Sequence, residues 1–457
     1  MLAFLEKINH LVWGVPALFG ILGVGIYLTL RTGFAQFRFF PQALRGFFSC
    51  FFKKDKQGDN SPFQALCTAL AATVGTGNLA GVAGAIALGG PGAIFWMWVC
   101  GFLGMVTKFA EATLAVRYRK RTSAGELIGG PMVMIEQGLG KSWRWLGMLY
   151  SFFAVVASFG VGNATQINAV IGGVNSVIAV FGGRSSRWVD FALAAMLAVL
   201  ICVMLFGGAR RIGSVAERLI PFASVMYLLL CAVVLIGRFQ LLPSAFAAIF
   251  AGAFSPKAVT GGMIGSFFVS LRVGASRGVF TNEAGMGTAS IAHAGAKVKH
   301  PVEQGLMGIM EVFLDTIVIC TMTALVILCS GVQIPYGIDT GILLTNQAFS
   351  QVLGDWVSIP IAVALCLFAV ATVVGWGLYG ARSAQYLFGE NSWKIFAVAQ
   401  GVVIMASSFV GTGAVWLLAE IVNGFMAIPN LIVLTVLSPE LTRLVREYSL
   451  TRDRLKC

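Results

Sequence analysis

Charge is what this 457-residue chain has least of: Asp, Glu, Lys and Arg make up 11% of it, where soluble domains average about 25%. So few charges cannot cover a water-facing surface, which excludes an ordinary soluble fold. Short strands of alternating polarity are missing too, which excludes a membrane β-barrel. The 9 cysteines include no Cys-x-x-Cys pair, and His10, His293 and His300 are scattered. Neither a disulfide framework nor a zinc site is suggested. No His-Glu-x-x-His or Ser/His/Asp set is present, which argues against a membrane enzyme. No low-complexity linker divides the chain, so residues 1–457 read as a single membrane domain.

What fills the sequence is apolar. Hydrophobic residues make up 58% of it, in repeated runs long enough to cross a bilayer. We read an all-α polytopic protein of about eleven spans. A lead helix covers 11–31, and ten more follow near 64–88, 93–117, 144–172, 188–206, 214–237, 257–292, 303–329, 357–386, 393–410 and 413–437. The stretch 144–180 is one tilted helix or a helix with an irregular end. The first run is too long for a signal h-region and lacks a cleavage site before Arg31, so it is expected to remain. The Phe- and Lys/Arg-rich segment 32–60 reads as a helix lying in the membrane interface. Residues 339–353 read as an amphipathic surface helix.

The net charge of +13 would suit a nucleic-acid binder, but its placement is topological. Lys7, Arg184, Arg187, Arg238 and Lys257 map to one side, and Lys108, Arg272 and Arg277 lie within spans. Every other Lys and Arg maps to the opposite side. By the positive-inside rule the N-terminus is outside and the C-terminus cytoplasmic. No nucleic-acid partner is implied, and the partner of the apolar surface is membrane lipid.

The segment AATVGTGNLAGVAGA, residues 71–85, stands out within its span. Gly75, Gly77, Gly81 and Gly84 each weaken a helix by roughly 1 kcal/mol relative to Ala. Asn78 is costly in hydrocarbon unless bonded. One reading is close packing through the Gly77/Gly81 GxxxG face. The other is a broken helix, tolerated only where backbone lines a cavity or is buried in protein. An internal echo favours the second. GNLAGVAGAIA at 77–87 resembles TNEAGMGTASIA at 281–292, each with Asn-x-Ala-Gly, at Asn78–Gly81 and Asn282–Gly285. The copies are five spans apart and so run oppositely. Two inverted halves, 64–237 and 257–437, with breaks in matching helices point to a secondary transporter.

ATVGTGNLAGVAGAIALGGPGAIFWMW (72–98) and RGVFTNEAGMGTASIAHAGAKVKHPVEQGLMG (277–308) resemble the alanine or glycine:cation symporter family. TKFAEATLAVRYR, GGPMVMIEQGLG, GNATQINAV and GWGLYG extend the resemblance to nearly the whole chain. It implies the leucine-transporter-type 5+5 inverted repeat with one extra N-terminal helix. It implies a symporter, not an enzyme, that brings alanine or glycine into the cell across the inner membrane with Na⁺. No organic cofactor is implied. Carried over, the substrate residues are Thr76, Gly77, Asn78, Gln166, Phe280, Thr281, Asn282 and Trp376. Na⁺ ligands fall at Thr73, Val74, Thr76 and Thr372. The chain departs from the family at Ala371, where a Ser is usual, so one ligand hydroxyl is missing and H⁺ becomes a rival coupling ion. It departs also in GGPMVM, which lacks the usual aromatic pair, and at Ala381, where an acid is common. Three rival readings stand beside this one: a different substrate such as glutamine, a channel, and a non-transporting sensor.

Ionisable residues within spans remain. Lys108 and Glu111 are spaced to pair on one helical face, and the acidic Glu311 and Asp315 lie four apart on another. Arg277 and Glu283 flank the second Asn, and Glu283 reads as a gate anchor to Arg277 or as a proton carrier. Ion pairing or gating suits Lys108, Glu111, Arg277 and Glu283 better than substrate contact. The orientation is open to direct test. A fluorescent-protein fusion after Cys457 should fluoresce and a phosphatase fusion there should be inactive; the reverse pattern overturns the assignment.

Overall fold

A computed structural model describes residues 15–52, 61–123, 125–254, 267–338, 341–409 and 412–454, with Phe4, Lys7, Ile8 and Val12. In chain order the helices are α1 (Val15–Arg31), α2 (Phe40–Phe52), α3 (Pro62–Thr73), α4 (Gly77–Gly89), α5 (Gly92–Tyr118) and α6 (Lys141–Val180). Then come α7 (Arg187–Phe206), α8 (Gly208–Gly237), α9 (Leu242–Phe254), α10 (Phe267–Asn282), α11 (Thr288–His293) and α12 (Pro301–Ser330). The last are α13 (Ile342–Leu353), α14 (Ser358–Phe388), α15 (Ser392–Ser407), α16 (Thr412–Val436) and α17 (Ser438–Arg454). Two-residue strands, Lys120–Arg121 and Leu127–Ile128, close a hairpin between α5 and α6. Among the described residues, six helices are each long and apolar enough to cross a membrane. Two further pairs qualify only when joined across a bend, α3 with α4 at 53° and residues 421–436 with 438–451 at 57°.

Helix ends follow local chemistry. The Ser61 hydroxyl accepts from the Gln64 N–H at 3.0 Å, and Pro62, which has no N–H, takes the first turn of α3. His300 caps α12 in the same way ahead of Pro301.

Packing centres on α5, which neighbours approach through glycine. A Cβ at Gly274 of α10 would lie 2.2 Å from the Ala93 carbonyl oxygen, and one at Gly308 of α12 would lie 2.8 Å from that of Lys108. Gly92 itself meets Gly252 of α9 backbone to backbone. Lipid offers no hydrophobic drive between helices, so such contacts work through van der Waals packing. Gly77 and Gly81 do not belong to this set. A Cβ at Gly81 would meet nothing within 4 Å, and one at Gly77 would make ordinary contact with Thr281. The GxxxG packing reading fails there, and the helix is broken instead.

The broken helices lie antiparallel. Gly89, ending α4, accepts from the Ser270 hydroxyl of α10 at 2.5 Å, Gly77 faces Thr281, and Gln64 and Thr68 share a small cavity with Ile291 and Gly295. The second break interrupts the span expected at 257–292; residues 257–266 of that span lie outside the described part. The span expected at 144–172 runs on to Val180 through a π turn at Gly160–Ala164. Helices α9 and α17 were not anticipated. Helix α13 is amphipathic, as expected: Leu343, Gln347 and Gln351 are exposed on one face, whereas Leu344, Ala348 and Phe349 are fully buried and the Thr345 hydroxyl donates to the Leu79 carbonyl at 2.9 Å. Its apolar stripe faces the first break rather than lipid.

These contacts separate two kinds of glycine. Gly274→Ala should lower the melting temperature in detergent, equivalent to roughly 1–3 kcal/mol of overpacking, because backbone must move. Gly81→Ala should be neutral or stabilise by up to about 1 kcal/mol. Equal melting shifts would refute the distinction.

Candidate functional site

The first break spans residues 74–76. Asn78 closes it from within: its Oδ1 accepts from the Gly75 N–H at 2.8 Å, replacing a helical bond lost at the break. Its Nδ2 donates to Asp315 Oδ1 at 2.6 Å, to the Asp315 carbonyl at 3.2 Å and to Cys320 Sγ at 3.3 Å. The second break spans 283–287 and opens with Glu283 in left-handed backbone at φ 53°. Asn282 plays the matching part. Its Oδ1 accepts from the Ala284 N–H at 2.9 Å, and its Nδ2 donates to Thr316 Oγ1 at 3.1 Å.

Glu111 of α5 supports the second break. Its Oε1 accepts from the Gly285 N–H (2.9 Å), the Gly287 N–H (3.1 Å) and Asn430 Nδ2 (2.7 Å). Asn430 also donates to the Gly285 carbonyl at 2.9 Å. A carboxylate on two backbone N–H groups is an anion nest filled by the protein's own side chain. Glu283 sends one oxygen to the Thr288 hydroxyl (2.6 Å) and the other to the Trp376 indole N–H (3.0 Å). That ties the second break to α14.

Between the breaks lie the groups assigned to ligands. A Cβ at Gly75 would lie 2.7 Å from Thr372 Oγ1 and 3.6 Å from Gln166 Oε1, so α3, α6 and α14 converge there. Thr76 Oγ1 and Gln166 Oε1 are buried without a hydrogen-bond partner. Buried polar oxygens are normally bonded, so these two, which are among several buried polar atoms left unbonded, are free to accept from a donor or cation. The Thr372 hydroxyl donates to the Phe368 carbonyl at 3.0 Å, and that of Thr73 to Ala69 at 3.3 Å. Both keep lone pairs. Val74 is the extended residue that ends α3. The Thr281 hydroxyl turns back to the Arg277 carbonyl at 2.6 Å. Phe280 is half-buried in the apolar cluster around Trp376. The structure therefore groups Thr73–Asn78, Gln166, Thr281, Asn282, Thr372 and Trp376 around the breaks. Asn78 and Asn282 are committed there to holding the breaks closed.

Two ionic assignments change. Lys108 pairs with Glu311 at 2.8 Å rather than with Glu111, because Glu311 of α12 packs directly across from it while Glu111 is held by the nest. Glu283 is anchored by Thr288 and Trp376, and among the described residues no ion pair joins it to Arg277. Gln304 and His293 extend the Lys108–Glu311 pair, Gln304 donating to His293 Nδ1 at 2.6 Å and His293 Nε2 reaching Glu311 Oε2 at 3.0 Å. Asp315 stands out in the sequence only by its spacing from Glu311. Thr316 and Asn430 give no signal there at all, since their roles exist only across helices.

With this geometry in hand, comparison with known proteins is decisive. The model of the sodium:alanine symporter family matches residues 1–456. The chain belongs to this family. It is 42% identical to the sodium/alanine symporter AgcS of Methanococcus maripaludis, over 95% of this chain and 94% of that one. It is 38% identical to the amino-acid carrier protein AlsT of Bacillus subtilis (95% and 89% covered) and 36% identical to the probable sodium/glutamine symporter GlnT of that organism (96% and 89%). Among solved structures it resembles MhsT in complex with L-phenylalanine, with a TM-score of 0.61 at 16% identity over 84% of this chain and 90% of that one. The fold is thus leucine-transporter-type, and this member of the symporter family is a multi-pass membrane protein.

The nest sets a graded expectation. Glu111→Ala leaves three donors unpaired and should cost roughly 3 kcal/mol or more, seen as loss of folded protein on size exclusion. Glu111→Gln keeps one acceptor oxygen and should cost less than half as much. Equal losses would show that the nest is not what Glu111 supplies.

Proposed function

We propose that this protein carries a small neutral amino acid, alanine or glycine, into the cell with Na⁺. It would work by alternating access across the inner membrane, with the N-terminus outside. The two halves, 64–237 and 257–437, are taken as inverted repeats. The observation that supports the reading most is the pair of opposed breaks with unpaired Thr76 and Gln166 oxygens beside Thr372. An amino-acid zwitterion needs donors for its carboxylate and acceptors for its ammonium. Glu111 already fills the nest of the second break, which leaves the N-terminus of α4 for the substrate carboxylate. Gln166 Oε1 and unwound carbonyls accept from the ammonium. Trp376, fully buried, and Phe280 bound the side chain and keep it small. Na⁺ takes oxygens from Thr73, Val74, Thr76 and Thr372, joining α3 to α14.

A second reading rests on Ala371, which supplies no hydroxyl beside Thr372, and on the similarity to GlnT. It makes H⁺ the coupling ion or glutamine the substrate. Radiolabelled alanine and glycine uptake into proteoliposomes, with a Na⁺ and then an H⁺ gradient, tests both. Accumulation above equilibrium driven by Na⁺ alone is the expected result. Accumulation driven by H⁺ alone selects the second reading, and binding without turnover under any gradient would make the protein a sensor.

A further inference from the structure

Asn78 and Asn282 hold the same place in the two Asn-x-Ala-Gly copies, and they meet consecutive residues of one helix. Asn78 Nδ2 bonds Asp315 Oδ1 at 2.6 Å, and Asn282 Nδ2 bonds Thr316 Oγ1 at 3.1 Å. The Thr316 hydroxyl donates to Asp315 Oδ2 at 2.8 Å, which closes a chain from one break to the other. Both amides have a settled orientation, since each oxygen already accepts a backbone N–H. Asp315 and Thr316 lie in a π-helical stretch of α12, Phe313–Cys320, and both are fully buried. Such stretches are uncommon and recur at functional sites. Asp315 and Thr316 thus carry a continuous hydrogen-bonded tie between the breaks.

We infer that Asp315 and Thr316 are positioning residues that set the separation of the two breaks and thereby the size of amino acid the site accepts. This rests on the alanine-uptake reading for its kinetic consequence, though not for its structural one. The carboxylate has two oxygens and uses one for each break. A looser link lets the breaks part, which weakens the hold on alanine and makes room for one more methylene.

Thr316→Val removes the tie to the second break while keeping shape and volume. It should raise the alanine KM roughly tenfold, leave the maximal rate within about twofold and narrow the preference for alanine over 2-aminobutyrate. Asp315→Ala should do the same or more. Asp315→Asn keeps an oxygen for Asn78 and an N–H for Thr316, so it should restore near wild-type selectivity. A Thr316→Val protein with KM within about twofold of wild type and unchanged selectivity overturns the inference. Hydrogen exchange read by mass spectrometry tests the link without any substrate. Thr316→Val should speed exchange across 282–287 but not across 75–79, and Asp315→Ala should speed both. Unchanged exchange in both overturns the link. If wild-type protein moves no alanine, the uptake reading fails, and the exchange result still decides the link. Should Asp315→Ala fail to accumulate, Thr316→Val and Asp315→Asn decide alone.

Discussion

Where no water is available, every backbone N–H and C=O must find a partner within the protein. That constraint governs the whole centre of this molecule, because two of its helices are interrupted there. Each interruption is repaired by side chains: Asn78 on Gly75, Asn282 on Ala284, and Glu111 with Asn430 across 285–287. The repairing groups come from α5 and α16 as well as from the broken helices. Those helices must therefore lie close, and the glycine contacts along α5 allow it.

The buried charges follow the same logic. Lys108, Glu311, His293 and Gln304 form one chain of contacts through three helices, all fully buried. A lone ion there would cost several kcal/mol, and the pairing with extra hydrogen bonds offsets this. At the basic end, Arg382 donates to Glu126 at 2.6 Å, and the Ser123 hydroxyl and N–H bond Glu390, holding its carboxyl below the usual range. These contacts tie the hairpin after α5 to the end of α14. At the other end α13 lies over the first break.

Much of this was legible in the sequence. Apolar runs located most spans, and the repeated Asn-x-Ala-Gly located both breaks, because the same Asn and glycines recur in two oppositely running spans. Other features escaped for physical reasons. Helix α9 is too short to cross alone, and α17 is too polar to register as a span. The Lys108–Glu111 pairing rested on spacing along one helix, whereas the geometry put Glu311 nearer across an interface. The π turns in α6 and α12 have no composition of their own. Asp315 and Asn430 depend on helices far apart in sequence, and one sequence carries no record of such neighbours.

Glu283 holds a left-handed backbone that glycine adopts freely and that costs other residues about 1 kcal/mol. Its carboxylate reaches both Thr288 and the Trp376 indole from that conformation. Local comfort and long-range attachment therefore ask for different residues at this one position. Glycine would ease the turn and remove the hydrogen bond that joins the second break to α14; glutamate keeps the turn tense and that bond in place. The helix that carries Thr372 is thus hydrogen-bonded to this turn through the Glu283 side chain, and the left-handed backbone at Glu283 is the cost of that link.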